Sequence, residues 1–191
     1  MRALYGAFFA FAFATPALAQ DWHEEISSYD RDRLADFAKA KEQGMAEASD
    51  RGFVESVVAT EGRGISESEL LGSWRCRTVK LGGMAPTMAY GWFRCRVRNT
   101  PNGLYFEKVT GSQRLYGYLD RFDNGGFLLL GSWAVGGERP KPYSGGNDGA
   151  GAPSTHTDAV GVVSAIGAGH VKIEFPYPFY ESTFDVMELK R

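Results

Sequence analysis

Downstream of Gly72 the chain breaks into short aromatic and β-branched runs separated by turn residues, and this rhythm limits the fold more than any other feature. Eight runs are predicted to be strands: 72–80, 91–99, 103–110, 114–122, 126–135, 159–166, 169–175 and 182–190. Asn102-Gly103 and Asn124-Gly125 are dipeptides preferred in two-residue hairpin turns that need positive φ, and Gly167-Ala168-Gly169 closes a third hairpin. Strands joined by links this short must be antiparallel neighbours, because a parallel crossover needs a dozen residues or more. Eight such ribbons in sequence most economically close into an up-and-down barrel, which leaves no sheet edge exposed. The expected fold is therefore mainly β: an eight-stranded antiparallel barrel over 72–191. A two-sheet sandwich is the alternative. One connection is long: residues 136–158 are rich in glycine and proline and poor in large apolar groups, as expected of a flexible loop, either a lid over the barrel mouth or a surface insertion.

The N-terminus reads as an address. Arg2 gives a positive start, Leu4 to Ala14 is apolar or small, Pro16 breaks any helix, and Ala17-Leu18-Ala19 has the small-x-small pattern cut by signal peptidase. Residues 1–19 are expected to be a signal peptide, which directs the remainder to the periplasm or outside the cell. No apolar run reaches the roughly 18 residues of a membrane-spanning helix. A formal net charge of −2 over 191 residues argues against a nucleic-acid binder, which is normally strongly basic.

Residues 20–71 form a helical N-terminal segment, expected to pack on the body. From Ser28 to about Ala48, Leu34, Phe37, Lys41, Met45 and Ala48 recur at three- and four-residue steps and mark one face of a helix. Asp30 and Asp32 lie near its start, where the helix dipole favours acids, and Gly52 offers a stop. Ser66-Glu67-Ser68-Glu69 has capping-box spacing. Segment 21–69 carries 13 acids against 6 bases, so the helix is expected to lie solvated on the body.

Arg75-Cys76-Arg77 in the first strand and Arg94-Cys95-Arg96 in the second form the sharpest local feature. A register placing Cys76 opposite Cys95, in an oxidising compartment, predicts a disulfide between them. Alternation then puts Trp74, Cys76, Thr78, Phe93, Cys95 and Val97 on one face and Arg75, Arg77, Arg94, Arg96 and Arg98 on the other. From Leu70 to Phe106 there is no Asp or Glu, so the arginine row needs anions from elsewhere. Either a ligand's phosphate or carboxylate supplies them, or the protein's own acids do: Glu181 and Asp185, which alternate with Thr183 on one face of the last strand, together with the acidic helix.

Catalytic motifs are absent: there is no Gly-x-Ser-x-Gly, no phosphate-cradling glycine loop and no His-Glu-x-x-His. His23, His156 and His170 lack metal-ligand spacing, and no metal or cofactor is expected. Glu181 and Asp185, four residues apart on a straight strand, would be separated by about 13 Å, beyond the roughly 5–9.5 Å of paired glycosidase carboxylates. Ser112 has no activating His or Lys near it in sequence.

Four ordered blocks carry a resemblance: Trp74-Arg75-Cys76-Arg77, Trp92-Phe93-Arg94-Cys95-Arg96, Thr110-Gly111-Ser112-Gln113-Arg114, and Pro176-Tyr177-Pro178 followed by Glu181-Ser182-Thr183-x-Asp185-Val186-x-Glu188-Leu189. The chain resembles a family of secreted bacterial proteins known only as a domain of unknown function. The resemblance implies a signal peptide, a leading helix and a β-rich body, and no activity. Gly72-Ser73-Trp74 is similar to the Gly-x-Trp of lipocalin-like barrels, although Arg on both sides of Cys76 is not part of that pattern. The lipocalin likeness implies small-ligand binding inside the barrel, or inhibition of a periplasmic protease.

The reading is of a secreted barrel, more a binder than an enzyme, that takes a small ligand or an envelope protein partner. Trp74, Phe93, Phe184 and Val186 are its expected interior binding residues. The alternatives are a small hydrolase or lyase using Glu181, Asp185, His170 or Ser112, and a structural envelope protein without ligand.

Overall fold

A computed structural model describes residues 22–123, 125–145 and 157–191. The expected signal peptide, Asn124 of one expected turn, His156 and the centre of the glycine-rich connection lie outside the described residues.

The leading segment forms α1 (Trp22–Glu25), α2 (Ser28–Ala35), α3 (Phe37–Glu47), α4 (Arg51–Phe53), a π-helical turn (Val54–Val58) and α5 (Glu67–Leu70). The helix expected over 28–48 is thus two helices, parted at Asp36. The parting lets each half seat a different group. On α2 the buried residues are Asp30 and Arg33, paired at 2.5 Å. On α3 they are Ala40 and Gly44. A Cβ on Gly44 would lie 2.5 Å from Phe184 Cβ, so only glycine lets α3 approach the barrel wall this closely. At α5, Ser66 and Glu69 form the expected capping box.

The strands are β1 (Gly72–Leu81), β2 (Thr87–Ala89), β3 (Phe93–Thr100), β4 (Gly103–Lys108), β5 (Gln113–Arg121), β6 (Phe127–Val135), β7 (Asp158–Gly167), β8 (His170–Pro176) and β9 (Phe184–Lys190). Their order is β2-β1-β3-β4-β5-β6-β7-β8-β9, and β1 also pairs with β9, so β1 and β3–β9 close an eight-stranded antiparallel barrel. The ninth strand, β2, was not expected. It lies on the same edge of β1 as β3, with Val79 opposite Ala89 and Cys76 opposite Phe93. Three steps along β1 therefore match four along the partner ribbon, which is the count of a β-bulge at 90–92.

The bulge also corrects the cysteine register. Cys76 faces Phe93 and Cys95 faces Trp74, so the two cysteines sit diagonally instead of opposite each other. The offset is an even number of residues, so both still point inward. Their Cα atoms are 5.8 Å apart and their sulfurs are joined.

The interior is packed by Trp74, Phe106, Leu115, Leu129, Ile173 and Leu189, among others. Two further clusters lie outside the wall. Phe53, Val54 and Val58 cover Val79, Leu81, Phe184 and Val186, while Ile26 covers Leu128, Leu130, Val160 and Val162. A wall buried on both sides reads as continuous apolar sequence, which is what Phe127-Leu128-Leu129-Leu130 displays.

Candidate functional site

Strand direction sets which loops meet. The connections 82–86, 109–112 and 177–183 and the described ends of the β6–β7 connection, 136–145 and Thr157, gather at one end of the barrel, the mouth, and the tight turns at 101–102 and 168–169 close the other. The closed end is filled by side chains. At the mouth the interior opens into a cavity of about 220 Å³.

Thr78 and Lys80 enter this cavity from the inward face of β1, two and four positions beyond Cys76. Asp185 of β9 lies opposite Lys80 on one side and opposite Phe175 of β8 on the other. Trp133 of β6 supplies the aromatic wall, its ring 6.0 Å from that of Phe175. The roof is the β8–β9 turn, from which Phe179 and Tyr180 cover the opening. Two non-glycine residues with positive φ lie in this turn, Tyr177 at 40° and Glu181 at 73°. Such backbone persists only where its surroundings fix it. Here Tyr177 N donates to Thr183 O, Tyr177 OH donates to Gln43, and Met84 N donates to Glu181 O.

The charges of the cup are mostly committed. Lys80 Nζ bonds Glu181 Oε2 at 2.7 Å. Burial pulls the Lys80 ammonium down, but the Glu181 bond and the charges of Asp185, Glu181 and Tyr90 outweigh it and hold it above its ordinary range. Arg33, at the rim, is taken by Asp30 and by the Pro176 carbonyl. Asp158 accepts from both Ser144 N and Ser144 Oγ. Asp185 is only 3% exposed, and its Oδ1 accepts from Ser182 Oγ at 2.6 Å. Burial pushes its carboxyl up from 3.8 to about 6, against the opposing pull of the Ser182 bond and Lys80. Thr78 Oγ1 is buried and has no hydrogen-bond partner among the described residues.

The residues singled out from sequence fall in several places. Trp74 belongs to the packed interior, with Nε1 donating to Leu70 O and Arg191 stacked on its ring. Phe93 faces inward beneath Lys108 Nζ, which lies 4.3 Å from the ring centre and donates to Gln113 O; burial lowers that ammonium to about 8. Phe184 and Val186, expected inside, face outward under the helices, because β9 points Asp185, Met187 and Leu189 into the barrel.

The arginine row faces outward as expected, but its partners differ from Glu181 and Asp185. Arg77 pairs with Glu188 at 2.7 Å, and Arg96 and Arg98 share Glu107. Glu188 also takes Lys190 and His170; burial raises its carboxyl, yet the bonds and charges of Lys190 and Arg77 keep it below its ordinary value. Arg75 and Arg94 face each other across β1 and β3, with Arg75 over the Trp92 ring at 5.0 Å.

Glu181 and Asp185 both reach the cavity, whereas His170 bonds Glu188 at the closed end. Ser112 lies in the β4–β5 turn, and its hydroxyl bonds no histidine or carboxylate among the described residues. Sequence reasoning passed over Thr78, Lys80, Trp133 and Phe175 as site residues. The signal for the first two was available, since both alternate with Trp74 and Cys76, and an inward-facing lysine in a barrel strand needs a partner or a function.

Among the described residues no group of three or more His, Cys, Asp or Glu is arranged to hold a metal ion. Residues 22–189 match the family described as Domain of unknown function (DUF4893), and the chain belongs to that family. No curated protein and no solved structure matches it.

Proposed function

We propose that this DUF4893 protein is a secreted or periplasmic binding protein that takes a small organic ligand into the mouth of its barrel. The observation that carries the reading is the contrast within one interior. The closed end is filled by its own side chains, while the mouth keeps a cavity of about 220 Å³ between aromatic walls and a few convergent polar groups. That combination is the usual make-up of a small-molecule site. The volume lies below the roughly 300–1,000 Å³ of drug-sized sites, so the ligand is small.

Two features support this compartment. Residues 1–19 have the order of charge, apolar stretch and cleavage motif that secretion requires. The joined Cys76 and Cys95 suit an oxidising environment. No helix among the described residues is long and apolar enough to cross a membrane.

Two measurements test this. Fractionation of cells expressing the full chain should recover a cleaved protein from the periplasm or medium; uncleaved cytoplasmic protein would contradict the address. A panel of small apolar, amine, alcohol and carboxylate compounds, titrated into ¹⁵N-labelled protein, should contain binders that shift the amides of Thr78, Trp133 and Asp185. A panel that moves none of them would contradict the binding cup.

A further inference from the structure

We infer that the ligand is a small primary amine with an apolar body, its ammonium seated between Asp185 Oδ2 and Thr78 Oγ1 and its body against Trp133 and Phe175. The inference rests on the reading that the mouth cavity binds a ligand, and it names the chemistry of that ligand.

Three independent observations select an ammonium. The first is the charge left over. Lys80 is held by Glu181 and Arg33 by Asp30, so neither cation of the cup makes a direct ion pair with Asp185. A carboxylate buried to this degree without a bonded cation is costly unless something brings it one. The second is unused hydrogen-bonding capacity. Ser182 occupies Asp185 Oδ1, and Asp185 Oδ2 receives no bond from a described residue. Thr78 Oγ1, on a residue 94% buried, lines the same cavity with no partner among the described residues. The register places these two groups on adjacent strands, since Asp185 lies opposite Lys80 and Thr78 opposite Met187. They are therefore diagonal neighbours with roughly 7–8 Å between backbones, a gap that one nitrogen with several N–H donors can bridge. The third is the wall. Trp133 and Phe175 offer π faces and apolar area, which suit a cation followed by a hydrocarbon body.

The competing chemistries fit less well. A ligand carboxylate would meet Asp185 and Glu181 with like charge. A neutral alcohol would satisfy Thr78 but supply no charge to Asp185. A charge-assisted bond is the stronger of the two, so the amine should exceed the matched alcohol at least tenfold in affinity.

The preference should depend on pH. Asp185 is faced by Lys80 from β1, by Glu181 and Ser182 from the β8–β9 turn and by Arg33 from α2, with Asp158 of β7 in the same cavity. Burial holds its carboxyl near 6, so between pH 7.5 and pH 5 it passes from mostly charged to mostly neutral. The amine keeps its charge over that range, and its affinity should fall about tenfold.

Isothermal titration with 2-phenylethylamine, 2-phenylethanol and 3-phenylpropionate tests this on the wild-type protein, Asp185→Asn and Thr78→Val. Expected are amine binding at least tenfold tighter than the alcohol at pH 7.5, loss of that margin at pH 5 and in Asp185→Asn, and a several-fold loss of amine affinity in Thr78→Val with the preference over the carboxylate retained. The Thr78→Val change replaces a partnerless hydroxyl by a methyl and leaves the carboxylate in place, so the test survives if the Asp185 variant misfolds. Alcohol or carboxylate binding as tightly as the amine would overturn the amine inference while leaving the cup intact. Failure of all three probes would also overturn it, and the wider panel above would then decide whether the cup binds anything.

Discussion

Replacing Asp185 by Asn should stabilise the protein at neutral pH. In the unfolded chain this carboxyl has its ordinary value of 3.8; in the folded barrel burial raises it to about 6. Below about pH 3 both states are largely protonated and the group contributes little. As pH rises from 4 to 6 the unfolded chain gives up its proton first, so it binds fewer protons than the folded chain and stability falls. The fall levels off above about pH 7, where the rise from 3.8 to about 6 amounts to about 3 kcal/mol. Asp185→Asn has the same shape and no charge, so it escapes this loss. Urea unfolding of the two proteins should show the variant more stable by about 2–3 kcal/mol at pH 7.5, with most of that gap gone at pH 4. The difference between the two proteins cancels the other titrating groups. A variant less stable than wild type at pH 7.5, or a gap that does not change with pH, would refute the claim that Asp185 is a buried carboxylate lacking a sufficient cation. A stabilising change in the cup would also mark it as a site kept for binding at the expense of stability.

The Cys76–Cys95 bond spans 19 positions of sequence, and a loop of that size constrains the unfolded chain by about 3 kcal/mol. The Cys76→Ala/Cys95→Ala double variant should lose about that much in urea unfolding, with no loss if the bond does not form. Gly44→Val should loosen α3 from the barrel and cost about 1–3 kcal/mol, because its side chain would begin 2.5 Å from Phe184 Cβ; faster amide exchange in α3 would accompany it. Lys172→Met should cost about 2 kcal/mol in thermal or urea unfolding, since Lys172 Nζ bonds the carbonyls of Val57, Val58 and Thr60 and also pairs with the buried Glu174.

The barrel was legible because each strand is short, bounded by turn residues and joined to the next by a link too tight for a crossover. All eight expected runs coincide with strands to within a few residues. The short β2 and the bulge after it were not legible, since Thr87–Ala89 is only three residues long and its pairing depends on β1. The same bulge moved the cysteine register, which alternation alone cannot count. The phase of β9 was misread for a related reason. Phe184 and Val186 look like interior residues, yet both faces of β9 are buried, so hydrophobicity does not say which face is the inside. Only the pairing of β9 with β1 shows that Asp185 is the inward group. The helix was expected on the body, but the residues that seat it were not legible, because Ala40 and Gly44 are too small to mark an apolar stripe. Of the cup, Asp185 was singled out as a charge but assigned to the arginine row. Its neighbour Phe175 faces it across the β8–β9 hairpin, and Trp133 reaches it from β6, two strands beyond β8, a contact that alternation within one strand does not show.

Closure of β1 against β9 is the claim on which the site depends, because it alone sets Asp185 opposite Lys80 and beside Thr78. The direct measurement is cross-strand nuclear Overhauser contact between the backbone protons of residues 75–81 and 184–190 in labelled protein. A closed barrel predicts an antiparallel set centred on Thr78 opposite Met187, with the paired amides slow to exchange. Fast-exchanging amides along both strands and no contacts between them would mean an open sheet, a displaced Asp185 and no cup.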